Sequence, residues 1–231
     1  MKKLIKIWNN NKGFILFIFL MLFFRSAIAD WYHVPSGSMQ PTILIGDRVY
    51  VNKLAFDIKI PFTDINLNRR AEPQRGDVIV FDSKASGDRL IKRVIGIPGD
   101  IVELKNNRLF INQKPVSVEM VEYPAAFDEF LNDRSVAAYY RESFDPDESA
   151  TISHNIRIRL DRFNRLSSFS PIDIPLDSYW VMGDNRDNSS DSRVIGFVPR
   201  AELIGRAESV VISFDKNNYY LPRDDRYSIE L

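Results

Sequence analysis

Arg75-Gly76-Asp77-Val78-Ile79-Val80-Phe81 is the stretch on which the fold turns. A Gly-Asp pair supplies turn chemistry, and the β-branched and aromatic residues behind it suit a pleated, half-buried surface, so the segment reads as a turn feeding a strand. The same grammar recurs at Gly46-Asp47 ahead of Arg48-Val49-Tyr50-Val51 and at Gly99-Asp100 ahead of Ile101-Val102-Glu103-Leu104. A fourth pair, Gly183-Asp184, runs instead into polar residues. Working outward, further strands are expected over 90–97, 108–112, 156–160, 178–182 and 209–214. Repeated short strands without long amphipathic helices predict a mainly β fold of antiparallel sheets, with no repeat at solenoid spacing.

The chain has 231 residues, 45% apolar and 27% charged. Those are globular values, which exclude wholesale disorder and collagen-like structure. Lys+Arg and Asp+Glu are both 31, so the basic excess expected of a general nucleic-acid binder is absent, and no nucleic-acid partner is expected. The absence of cysteine removes disulfides, thiolate nucleophiles and Cys-ligated metal centres. With only His33 and His154, a His-rich metal site is excluded, and a Ser-His-Asp triad would have to use one of the two.

The first twelve residues carry four lysines and no acid, and an uninterrupted apolar run of twelve follows from Gly13 to Phe24. A basic flank before an apolar run is a membrane-targeting pattern with the N-terminus in the cytoplasm. Two readings are open: a cleaved secretory signal ending at Ala27-Ile28-Ala29, or a permanent anchor over 13–29 with Arg25 at the interface. Both leave residues 1–12 cytoplasmic and residues 30–231 outside the cytoplasm as one β-rich domain. Within it, residues 119–148 hold nine acids and two bases and read as a solvated acidic insertion, extending to about 170. The polar tail from Asp215 reads as surface-lying.

Three segments are dense in chemistry. Val34-Pro35-Ser36-Gly37-Ser38-Met39-Gln40-Pro41-Thr42 brackets small residues between prolines, a place where a serine hydroxyl and free backbone N–H groups can be presented. In Arg89-Leu90-Ile91-Lys92-Arg93-Val94-Ile95, a strand directs Lys92 and Arg93 to opposite faces. Periodicity leaves open which one is buried, but only a desolvated lysine can lose its proton and act as a base. Gly183-Asp184-Asn185-Arg186-Asp187-Asn188-Ser189-Ser190-Asp191-Ser192-Arg193 is a polar run with calcium binding as a rival reading, weakened by its two arginines and the missing closing glutamate of an EF-hand loop.

Taken together and in order, these segments resemble the type I signal peptidases, with Arg75 to Phe81 as a further strand motif; the resemblance covers residues 25–104 and 174–215. It implies a Ser-Lys serine endopeptidase in which Ser38 is the acylated nucleophile and Lys92 the general base. It also implies that Ser36 joins the Ser38 N–H in the oxyanion hole, that Ser189 orients the lysine, and that Asp191 and Arg193 form a structural ion pair. Val34, Met39, Ile43, Leu90 and Ile91 match positions lining the small substrate pockets, with Leu90 standing where some members carry an aromatic. The resemblance further implies a retained anchor over 13–29 in the cytoplasmic (inner) membrane, contact with membrane lipid, and no cofactor or metal. The expected substrates are exported preproteins cleaved after small residues at −1 and −3. The rival expectations are a specialised peptidase of the same superfamily devoted to one pilus or conjugation substrate, and a non-enzymatic membrane-tethered β-domain.

Overall fold

The three Gly-Asp turns are built alike. Gly46, Gly76 and Gly99 take φ of +97°, +94° and +88°, which the missing side chain permits. The following aspartate then reaches back three residues: Asp47, Asp77 and Asp100 accept from the backbone N–H of Leu44, Gln74 and Ile97 at 2.8, 2.9 and 2.9 Å. Each such turn delivers the chain into or next to a strand. Gly183 lacks the positive φ, and Asp184 is used in an ion pair instead of a turn.

The computed structural model describes residues 2–63, 65–123, 127, 131, 135–144, 152–161, 164–215 and 218–231. Helix α1 (Lys2–Ala27) leads into β1 (Ala29–His33) and β2 (Asp47–Asn52). The hairpin β3 (Asp57–Lys59) and β4 (Asn66–Arg69) follows, then β5 (Val78–Asp82) and β6 (Arg89–Gly96). Next come β7 (Ile101–Lys105), β8 (Arg108–Ile111), β9 (Lys114–Pro115), β10 (Ser117–Val121), β11 (Ala137–Phe144) and β12 (Ile152–Arg159). The chain closes with β13 (Phe169–Asp173), β14 (Ser178–Met182), a one-turn helix α2 (Ser192–Ile195), β15 (Val198–Pro199), β16 (Leu203–Asp215), β17 (Leu221–Pro222) and β18 (Ile229–Glu230).

The largest sheet runs β1-β2-β16-β5-β6-β14-β15, with β17 and β18 added to β16. Smaller sheets are β10-β11-β12, β13-β7-β8-β9 and β3-β4. Neighbouring strands pair antiparallel throughout, as the turn spacing predicts. β16 begins at Leu203, six residues earlier than expected, because it pairs with β5 over its first part and with β2 over the rest. Arg206 and Glu208 mask that alternation in the sequence.

β6 lies between β5 and β14, so it is a central strand and not an edge. Both of its basic residues are desolvated, Lys92 at 2% and Arg93 at 3% exposure, the first against Ser38 and the second against Asp184. The expectation that one would face solvent fails because the opposite face is also covered.

The acidic segment departs furthest from its expected solvated character. β11 and β12 bury Tyr139, Glu142, Phe144, His154, Ile156 and Arg157. Phe144 joins the cluster of Ile95, Val102, Leu104, Trp180 and Met182, and Ile152 packs against it. Their charges are buried because they have partners elsewhere in the fold, which composition alone does not show. The tail is also tied down: Arg226 donates to Asp47 Oδ2 at 2.7 Å and to the Thr42 carbonyl at 3.1 Å.

Helix α1 projects an apolar surface, with Phe14, Leu16, Phe17, Phe19, Leu20 and Phe24 all exposed. Its base is fastened to the sheet: Arg25 donates to Asp30 Oδ1 at 2.7 Å, Lys53 donates to the Arg25 carbonyl at 2.8 Å, and the Phe62 N–H donates to Ser26 Oγ at 2.6 Å. Among the described residues no helix is long and apolar enough to cross a membrane.

Candidate active site

The loop between β1 and β2 is closed at its base by ladder-like bonds, Val34 N–H to the Asp47 carbonyl and Gly46 N–H to the Val34 carbonyl, both 3.0 Å. Inside it, Gln40 N–H donates to the Gly37 carbonyl at 3.2 Å and Ile43 N–H to the Met39 carbonyl at 2.9 Å. Met39 and Ile43 are fully buried in the cluster with Val49, Val51 and Val78, which fixes the loop to the sheet. Ser38 sits at its turn, 7% exposed.

Strand β6 brings Lys92 to Ser38. Nζ lies 2.8 Å from Ser38 Oγ and donates to the Ile91 carbonyl at 2.9 Å. Burial disfavours the ammonium and lowers the Lys92 pKa to about 8, against the opposing pull of the Asp191 and Asp184 carboxylates. Ser36 Oγ lies 3.5 Å from Ser38 Oγ, at the outer limit of a hydrogen bond. Neither histidine bonds Ser38: His33 pairs with Arg48 at the end of β1, and His154 stacks on Phe144 with Nε2 3.4 Å from Glu142.

The loop after β14 closes over this pair. Asp191 and Arg193 form a bidentate ion pair, with both N···O distances 2.8 Å, and Asp191 also caps α2. Asp191 accepts from Gly183 N–H at 3.0 Å while Arg193 donates to the Arg186 carbonyl at 2.6 Å, so the pair staples both ends of the loop. Asp184 takes Arg93 in a second bidentate pair at 2.8 and 2.9 Å and accepts from Thr42 Oγ1 at 2.6 Å. Asp187 accepts from Arg159 N–H at 2.7 Å. The three carboxylates of the loop are engaged by protein donors, which disfavours the calcium reading on chemical grounds.

Two expectations change. Among the described residues Ser189 Oγ makes no hydrogen bond to Lys92 or to any other protein group; it is buried against Gly183. The Ile91 carbonyl holds the amine in its place. The pocket set also divides: Val34, Met39, Ile43 and Ile91 share one cluster, whereas Leu90 packs with Phe56, Ile79 and Phe81 in another. Alternation along β6 separates Leu90 from Ile91.

Arg93–Asp184–Thr42, the Ile91 carbonyl and Asn185 were not legible as parts of the site, although each lies in a segment singled out for its density. Nor was the buried ion pair of Arg186 Nη1 and Glu142 Oε1 at 2.7 Å, which ties the same loop to β11.

The sequence matches the family described as "Signal peptidase, peptidase S26" over residues 7–212. The chain belongs to that family. This type I signal peptidase, a hydrolase, is 32% identical over 232 residues to Signal peptidase I of Pseudomonas fluorescens, covering 95% of this chain and 78% of the relative. It is 34% identical over 233 residues to Signal peptidase I of Pseudomonas aeruginosa, with the same coverage. It is 35% identical over 217 residues to Signal peptidase I of Aquifex aeolicus, covering 83% and 79%. A crystal structure of a signal peptidase I from Enterococcus faecalis aligns with TM-score 0.35 and 29% identity over 59% of this chain and 97% of that one.

In this signal peptidase Gly183 is a packing requirement. A Cβ there would meet Ser189 Oγ at 2.3 Å and the Ser38 carbonyl oxygen at 2.4 Å. The second contact is backbone and cannot move without moving Ser38. Gly183→Ala is expected to cut kcat about 100-fold through misplacement of the serine and to cost about 1–3 kcal/mol of stability. Preprotein cleavage and urea unfolding of the same sample check both.

Proposed function

We propose that this chain is a membrane-anchored serine endopeptidase that removes N-terminal signal peptides from exported preproteins after small residues at −1 and −3. The observation that carries the reading is the 2.8 Å approach of the buried Lys92 amine to Ser38 Oγ. Neutral Lys92 takes the Ser38 proton as Oγ attacks the scissile carbonyl. The tetrahedral oxyanion is received by the Ser38 N–H and the Ser36 hydroxyl. Lys92 then passes its proton to the leaving amine, and a water deprotonated by Lys92 releases the signal peptide from the acyl-enzyme. The chain's own side chains supply the acid, the base and the nucleophile, so the mechanism calls for no cofactor. Val34, Met39, Ile43 and Ile91, clustered beside Ser38, are the proposed pocket residues.

The same reading makes residues 13–29 a single-pass anchor in the cytoplasmic membrane. The lysines before it stay in the cytoplasm, and Arg25 and Trp31 lie at the outer interface, the Arg25 guanidinium 5.5 Å from the Trp31 ring centre. The fastening of the helix base to β1 and β2 then holds the catalytic domain against the outer face, where an emerging preprotein would meet Ser38.

The test is cleavage of an Ala-x-Ala preprotein by the full chain in detergent. Ser38→Ala is expected to abolish cleavage with unfolding unchanged. Ser36→Ala removes one oxyanion donor and is expected to lower kcat by about 10²–10³. Normal cleavage by Ser38→Ala would end the reading, and normal cleavage by Ser36→Ala would end the oxyanion assignment.

A further inference from the structure

Asn185 follows directly on the Asp184 of the Arg93 pair and is fully buried. Its backbone N–H donates to the Ser38 carbonyl at 3.1 Å. Its side-chain Nδ2 donates to the Gly37 carbonyl at 3.0 Å and to Gln40 Oε1 at 3.3 Å. Asn185 therefore grips the peptide units on both sides of the Ser38 Cα, from a segment 148 residues away in sequence.

The Gly37 carbonyl and the Ser38 N–H are two ends of one planar peptide unit. In a trans peptide they point in opposite directions, so a donor that fixes the carbonyl also fixes the direction of the N–H. Among the described residues the Ser38 N–H makes no hydrogen bond to protein, which leaves it free for a ligand oxygen. The turn's own bond from Gln40 N–H to the Gly37 carbonyl is longer, at 3.2 Å, and comes from a residue three positions along the same loop. The Asn185 amide reaches the carbonyl from outside the loop and holds the turn as a body.

We infer that Asn185 is a positioning residue for the oxyanion hole: its amide locks the Gly37–Ser38 peptide so that the Ser38 N–H is aimed at the developing oxyanion before substrate arrives. The inference rests on the Ser-Lys reading above and adds a residue that touches neither the reacting atoms nor Lys92. A donor aimed in advance stabilises the transition state more than the ground state, so its loss falls on kcat and not on KM.

The test compares wild type, Asn185→Ala and Asn185→Leu in the full detergent-solubilised chain. The leucine keeps the forked shape and fills the space without offering a donor. Each is titrated with a signal-peptide aldehyde carrying alanine at −1 and −3 and with the corresponding alcohol. The aldehyde reports the oxyanion hole: a bond forms from Ser38 Oγ to the carbonyl carbon, the carbonyl electron pair moves to oxygen, and the serine proton passes to Lys92. The alcohol reports ground-state binding alone. The expected result is a 10- to 100-fold loss in kcat and in aldehyde affinity for both variants. KM, alcohol affinity and the pH midpoint set by Lys92 should be unchanged. Equal losses for aldehyde and alcohol, or no loss for either, would overturn the inference, because a merely structural role does not alter their ratio. If wild type neither cleaves the preprotein nor captures the aldehyde through Ser38, the parent reading has failed. If wild type does both and the variants match it, the inference alone has failed.

Discussion

Lys92→Arg is expected to lower kcat/KM by about 10⁴-fold although it keeps the positive charge, because a guanidinium stays protonated and cannot accept the Ser38 proton. In the wild type, burial brings the amine down to about 8. At pH 7 about a tenth of it is then neutral, against about 1 in 2500 for a free lysine. The pH dependence of kcat/KM should accordingly rise through a midpoint near 8 and level off above it. Near-normal activity in Lys92→Arg, or a rising limb that persists unchanged in Lys92 variants, would remove Lys92 from the mechanism.

The same burial has a thermodynamic consequence with a definite sign. The folded-state value lies below the unfolded one, so the folded chain is penalised wherever the unfolded lysine is charged. Below about pH 8 the penalty is full and constant. Between about 8 and 10.4 the unfolded state holds more protons, and stability rises with pH. The penalty is about 3 kcal/mol at most. Lys92→Met, similar in length and without the charge, is expected to be inactive yet more stable than wild type by about 1–3 kcal/mol at pH 7. The gain should shrink toward pH 10.4, as read by urea unfolding at several pH values.

Glu142→Gln carries the largest expected loss of stability. Burial alone would raise the Glu142 pKa, but the Arg186 guanidinium overrides it, and with His154 beside it the carboxyl is held at about 2. Removing the charge leaves Arg186 buried without its counter-ion, which typically costs about 3–5 kcal/mol. Because the folded value is depressed, the contribution is complete above about pH 4.5 and is lost as pH falls toward 2. The wild type should lose about 3 kcal/mol across that window from this group. Glu142→Gln should show a shallower acid slope from a lower starting stability. A variant within about 0.5 kcal/mol of wild type, the range of ordinary surface substitutions, would show that the pair is dispensable.

The loss should reach the active site. Arg186 follows Asn185, and its N–H donates to the Arg157 carbonyl at 3.0 Å, while Arg157 N–H donates to the Asp184 carbonyl at 2.9 Å. The segment that grips Ser38 is thus laid against β12 by backbone bonds and against β11 by the Glu142 ion pair. What reads as an acidic surface insertion is the floor of the site, at least through β11 and β12.

Local chemistry alone determined the strand framework. Gly-Asp turns force a left-handed glycine and a carboxylate that reaches back, and the β-branched runs behind them have few other stable uses. The loop bearing Ser38 and the strand bearing Lys92 were legible for the same reason, since a bracketed small-residue turn and a lysine among aliphatics are features of contiguous residues. Tertiary structure decided what contiguous residues cannot encode. Lys92 and Arg93 are both buried because the loop bearing Ser38 lies over one face of β6 and the loop after β14, through Asp184, meets the other. Glu142 is internal because Arg186, 44 positions away, neutralises it. The Ile91 carbonyl, not Ser189, takes the amine, and Asn185 reaches the peptide that precedes Ser38. Desolvation and charge pairing depend on what lies within a few ångströms in space, and for these residues the decisive neighbours come from other parts of the chain.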